Sequence, residues 1–96
     1  MERVQFIGVS ELDEGQQSDV RGVVGDFLKK FEKSFPVERI NVHVKQYDKG
    51  GKPKFSVHIR LVSPKHSKDG AADDYVLTKA MHFAFEAIEK QLAHER

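Results

Sequence analysis

The alternation of apolar and polar positions changes period several times along the chain, and each change marks an element. Val4 and Phe6 alternate with Arg3 and Gln5 ahead of Ile7-Gly8-Val9, which predicts a first strand over residues 2–9. After the polar stretch Ser10 to Gln17, the residues Val20, Val23, Val24, Phe27, Leu28, Phe31 and Phe35 recur every three or four positions, as in an amphipathic helix. Ser10 or Ser18 is expected to cap it, Gly22 and Gly25 to weaken it, and Pro36 to stop it after Phe35. Asp26 and Lys30 are spaced for an exposed ion pair one turn apart.

The period then drops to two. Ile40, Val42 and Val44 alternate with Arg39, Asn41, His43 and Lys45, and Phe55, Val57, Ile59 and Leu61 alternate with Lys54, Ser56, His58 and Arg60. Both runs predict half-buried strands. Between them, Asp48-Lys49-Gly50-Gly51-Lys52-Pro53 reads as a hairpin turn, because Gly-Gly supplies the positive φ angles that a tight connection requires. Centring the register on Gly50-Gly51 puts Val44 beside Val57, Val42 beside Ile59 and Ile40 beside Leu61 on one face. The other face then carries Tyr47 by Lys54, Lys45 by Ser56, His43 by His58 and Asn41 by Arg60.

Residues 63–74 are polar and predict a loop holding at most a short edge strand. Asp73 or Asp74 is expected to cap a last helix whose stripe is Leu77, Ala80, Met81, Ala84, Ile88 and Leu92, widened by Phe83 and Phe85, with Glu86 paired to Lys90. The resulting order is β-α-β-β-(β)-α. It predicts an α+β two-layer sandwich in which two helices pack on one face of a three- to four-stranded mixed sheet, with strands one and two parallel across a right-handed crossover.

Composition bounds what such a fold can do. The 96 residues, 39% hydrophobic and 32% charged, suit a single domain spanning 1–96 with no second core and no deep substrate cavity. The absence of cysteine removes disulfides, thiolate nucleophiles, iron–sulfur clusters and thiolate zinc sites. The longest apolar runs are three residues, and the start lacks a signal-like hydrophobic stretch, so the expectation is a soluble cytoplasmic protein without a membrane partner.

Catalytic and metal chemistry finds little support. His43 and His58 are cross-strand neighbours but two imidazoles are too few for a metal site, and His66, His82 and His94 are scattered. Ser56 falls near these histidines without any nearby carboxylate, and Gly50-Gly51 is not set in a phosphate-loop pattern. The expectation is a non-enzymatic protein with no metal and no cofactor.

Charge is more informative than its sum. The net charge is only +1, yet residues 29–68 hold eleven Lys and Arg against three carboxylates, whereas residues 1–28 hold two against six and residues 69–96 three against six. A basic middle between acidic ends predicts a positive surface region suited to phosphate backbones. Most of its cations are lysines, which position a backbone without reading bases.

Three segments carry a family likeness: Leu28-Lys29-Lys30-Phe31-Glu32-Lys33, Arg39-Ile40-Asn41-Val42-His43-Val44, and Thr78-Lys79-Ala80-Met81 with Ile88-Glu89-Lys90-Gln91-Leu92. Through them the chain resembles the ribosome hibernation-promoting factor and ribosome-associated inhibitor family, also called the sigma-54 modulation family. The resemblance implies a non-catalytic protein that binds ribosomal RNA of the small ribosomal subunit in the messenger and transfer RNA channel and modulates translation when growth slows. Lys30, Lys33, Lys79 and Lys90 match basic positions of that family's two helices, whereas Ala87 stands where it usually has lysine and His82-Phe83 replace a polar or acidic pair. The last segment is also similar to a double-stranded-RNA-binding domain, through Phe55, Val57, Ile59, Lys79-Ala80, Ala84 and Ala87-Ile88. Taken with the basic block, the candidate RNA-binding residues are Lys29, Lys30, Lys33, Lys45, Lys52, Lys54, Arg60, Lys65, Lys68, Lys79 and Lys90. The competing reading is a protein-interaction or homodimerisation domain without RNA binding, hinted at by Phe83.

Overall fold

A computed structural model describes residues 3–33, 36–64 and 66–93. Phe35, Lys65 and His94, each assigned a role or an environment from the sequence, lie outside the described residues. The elements are β1 (Val4–Ile7), a single 3-10 turn (Val9–Glu11), α1 (Glu14–Glu32), β2 (Arg39–Lys49), β3 (Lys52–Val62), β4 (Ser67–Asp74) and α2 (Leu77–Ala93). The four strands form one mixed sheet in the order β1-β2-β3-β4, with β1 parallel to β2 and the other pairs antiparallel. This is the α+β architecture expected from the periodicity.

The hairpin register follows directly from its turn. Gly50 and Gly51 have φ of 65° and 83°, the paired positive angles that match a two-residue turn to the twist of its strands. Val44 therefore pairs with Val57, Val42 with Ile59 and Ile40 with Leu61, and all six are fully buried or nearly so. They form the inner face, against which Val20, Val24, Leu28 and Phe31 of α1 and Leu77, Met81, Ala84, Phe85 and Ile88 of α2 complete the core. The helices meet through stacked rings of Phe27 and Phe85, with centroids 4.5 Å apart. Phe85 is wholly buried, but Phe83, expected to widen the same stripe, is 48% exposed. Two residues further along, a helix has turned by about 200°, so the two rings cannot share a face.

Element boundaries depart from the periodicity in instructive ways. The first strand stops at Ile7 because Gly8, at φ 81°, turns the chain into the 3-10 segment. The first helix starts at neither serine. Asp13 caps it, its carboxylate accepting the Gln16 N–H at 2.7 Å while the Gln16 side chain accepts the Asp13 N–H at 3.2 Å, a reciprocal capping box. The helix closes at Glu32, ahead of Pro36, and Lys30 pairs with Glu89 of α2 rather than with Asp26. In α2, Glu89 rather than Glu86 makes the ion pair. Asp74 accepts the Val76 N–H at 2.8 Å just before α2, whereas Asp73 binds Tyr47.

The largest departure is β4, a full eight-residue strand where the sequence suggests a loop. Its inward positions, opposite Leu61, Ile59, Val57 and Phe55, are Lys68, Gly70, Ala72 and Asp74. None is a large hydrophobe, so no period-two signal exists. Gly70 instead permits close docking of α2: a β-carbon there would overlap the Ala84 carbonyl oxygen. Gln91 of α2 fastens the same strand by donating to the Asp69 carbonyl.

Candidate functional site

Strand direction decides where the charges go. From Arg39 at one end of the sheet to Tyr47 near the hairpin, β2 advances by about 26 Å. The end at Arg39, Val62 and Ser67, which share a register row, is the base, and the hairpin is the tip. The last turn of α1 leads through Pro36 and Val37 into Arg39, so Lys29, Lys30 and Lys33 also stand at the base. Arg3, just before β1, pairs with Glu32 there. Because α2 descends from the end of β4, its last-turn Lys90 reaches the base too.

The sequence-predicted cations therefore divide into two groups. Lys29, Lys30, Lys33, Arg60, Lys68 and Lys90 stand toward the base, the first three with Lys90 and Lys68 on the helix layer or inner face and Arg60 on the outer sheet face. Lys45, Lys52, Lys54 and Lys79 stand toward the tip, together with Asp48, Asp73 and Asp74. Lys54 lies over the Tyr75 ring, its ammonium 5.2 Å from the centroid. Lys30 is held by Glu89 at 2.9 Å and lies 5.6 Å from the Phe27 ring centroid. The expected single positive region is thus two groups, one at the base beside Glu32, Glu38, Asp69 and Glu89 and one at the tip beside Asp48, Asp73 and Asp74. Both helices end at the base, and their C-terminal carbonyls favour the cations gathered there.

The outer sheet face is polar and its chemistry depends on β4. His43 and His58 are direct cross-strand partners, as expected, but His58 reaches diagonally to Asp69 at 3.2 Å. Ser56 does have a nearby carboxylate, since β4 places Asp73 opposite it. That carboxylate accepts instead from the Tyr47 hydroxyl at 3.2 Å. Partial burial, followed by the Asp73 carboxylate, pushes the Tyr47 phenol above its usual pKa. Tyr47 is half-buried and tied to Asp73. Among the described residues, no three of His, Asp and Glu converge into a metal-holding group.

At the base, Arg39, Asn41, Arg60, Ser63, His66 and Ser67 line an open notch. Arg39, Asn41, Ser63, His66 and Ser67 are additions to the predicted set. The hairpin register carries a signal for two of them, since Asn41 faces Arg60 and Arg39 lies two residues away on the same face.

A protein-family model described as hibernation factor Hib, C-terminal domain, matches residues 3–96. The chain belongs to this family. The hibernation-factor likeness read from the sequence is met by the match. No curated protein matches the chain. Among the described residues, no helix of this family member is long and apolar enough to cross a membrane.

Proposed function

We propose that this chain is one non-catalytic domain that binds ribosomal RNA of the small ribosomal subunit in the cytoplasm and modulates translation. The observation that carries the reading is the base cluster, where Lys29, Lys33, Arg39 and Arg60 are exposed on two layers of a hibernation-factor fold. Cations gathered at one end grip phosphates with a strong salt dependence, because each contact releases condensed counterions. Sedimentation of the purified chain with small subunits tests it. Co-migration at low salt that is lost as salt rises supports the proposal, whereas a chain that stays at the top of the gradient at low salt refutes it.

A second reading is favoured by one observation. Tyr75, Val76 and Phe83 are 50%, 46% and 48% exposed, and β4 is an edge strand of the sheet. Exposed apolar side chains together with an edge strand suit a protein partner, a second copy of this chain included. A concentration-dependent dimer with no affinity for ribosomes favours that reading.

A further inference from the structure

The notch at the base of the outer face has one-sided chemistry. Two guanidiniums, an imidazole, an amide and hydroxyls line it, and among the described residues no carboxylate does. Among the described residues Arg39 has no ion pair. Arg60 makes a long hydrogen bond to the Ser67 hydroxyl at 3.4 Å. Asp69, the cross-strand neighbour of Arg60, is drawn away to His58. The cations of the notch are therefore left to an external anion.

A second observation narrows the ligand. Asn41, between Gln5 and Arg60 in its register row, has its side-chain oxygen shut off from solvent and accepting no hydrogen bond. Native proteins rarely leave a buried acceptor unmet. Arg39, Arg60, His66 and Ser67 are all exposed, and long exposed side chains move at little cost. An anion that draws the guanidiniums toward itself can bring a hydroxyl donor within reach of Asn41.

We infer that the notch is a ribonucleotide site, in which Arg39 and Arg60 hold a backbone phosphate of unpaired RNA and Asn41 Oδ1 accepts a hydrogen bond from the adjoining ribose 2′-hydroxyl. The guanidinium fork matches phosphate geometry. The 2′-hydroxyl is the donor that RNA has and DNA lacks. The notch is open, which suits a continuous backbone rather than an enclosed mononucleotide. Inorganic phosphate would meet the arginines and leave Asn41 as it is. This inference rests on the RNA-binding reading and adds to it a location and a sugar preference.

The test uses the whole chain and three labelled oligonucleotides of one unstructured sequence: RNA, DNA, and RNA methylated at every 2′-oxygen. The expected result is RNA bound about tenfold more tightly than the other two, the worth of one net hydrogen bond. Asn41→Ala should abolish that preference. Arg39→Gln with Arg60→Gln should weaken all three, and inorganic phosphate should compete equally against RNA and DNA. The methylated RNA makes the outcome independent of how any variant folds. Equal binding of the three oligonucleotides by the unaltered chain overturns the inference, as does a preference that survives Asn41→Ala. If small subunits still bind in those cases, the broader reading stands without this site; if neither subunits nor RNA bind, both fall.

Discussion

The backbone carbonyl of Ala84 lies directly over Gly70, so that the middle of α2 rests on the backbone of β4 with no side chain between them. Replacing Gly70 by alanine forces the helix and the strand apart. Overpacking of this kind costs about 1–3 kcal/mol, which a lowered urea midpoint would register. An unchanged midpoint for Gly70→Ala would mean that helix and strand are not in such close contact.

Gly22 is the counter-case. It lies inside α1, exposed, with nothing within 4 Å of where a β-carbon would go. Gly22→Ala should therefore stabilise the fold by about 0.5–1 kcal/mol, through helix propensity and a less flexible unfolded chain. Thermal melting should show a rise, and a fall would argue that α1 does not run unbroken through this position.

The Tyr47 hydroxyl bonded to Asp73 gives a prediction at alkaline pH. A phenol whose pKa is raised on folding contributes stability that is fully present below the ordinary tyrosine pKa and is lost as pH climbs through the raised value. Absorbance titration should find one phenol ionising above the usual range, and Asp73→Asn should move it downward. No movement would show that burial alone, the larger cause, accounts for the shift.

The two cation groups can be separated by their salt response. Neutralising Lys33 and Arg39 at the base should lower the log–log slope of ribosome affinity against salt by about 1–2, since each lost phosphate contact removes close to one released counterion. Neutralising Lys45 and Lys52 near the tip should leave the slope within error of the unaltered chain. The reverse result would move the binding surface to the hairpin.

Much of the site's scaffold could be read from residue order. Alternation from Ile40 to Leu61 and the Gly50-Gly51 turn specify which residues face the helices and which face outward. They also place His43 against His58 and Asn41 against Arg60. Asp13 and Gln16 carry a capping-box spacing that marks the start of α1 more sharply than either serine. By contrast, Ser67–Asp74 carries no strand pattern of its own, and with it were hidden the partners Asp69 and Asp73 of the outer face.

Residue order sets inward and outward parity, because a strand turns alternate side chains to opposite faces whatever surrounds it, and it also sets the excess of positive charge between residues 29 and 68. It does not set β4, whose backbone is held by hydrogen bonds to β3 and by a helix resting on Gly70, both contributed from elsewhere in the chain. Nor does it set the grouping of the cations. Strand and helix direction, established when α1 and α2 pack side by side and both end at the base, is what parts Arg39 and Lys33 from the lysines of the hairpin.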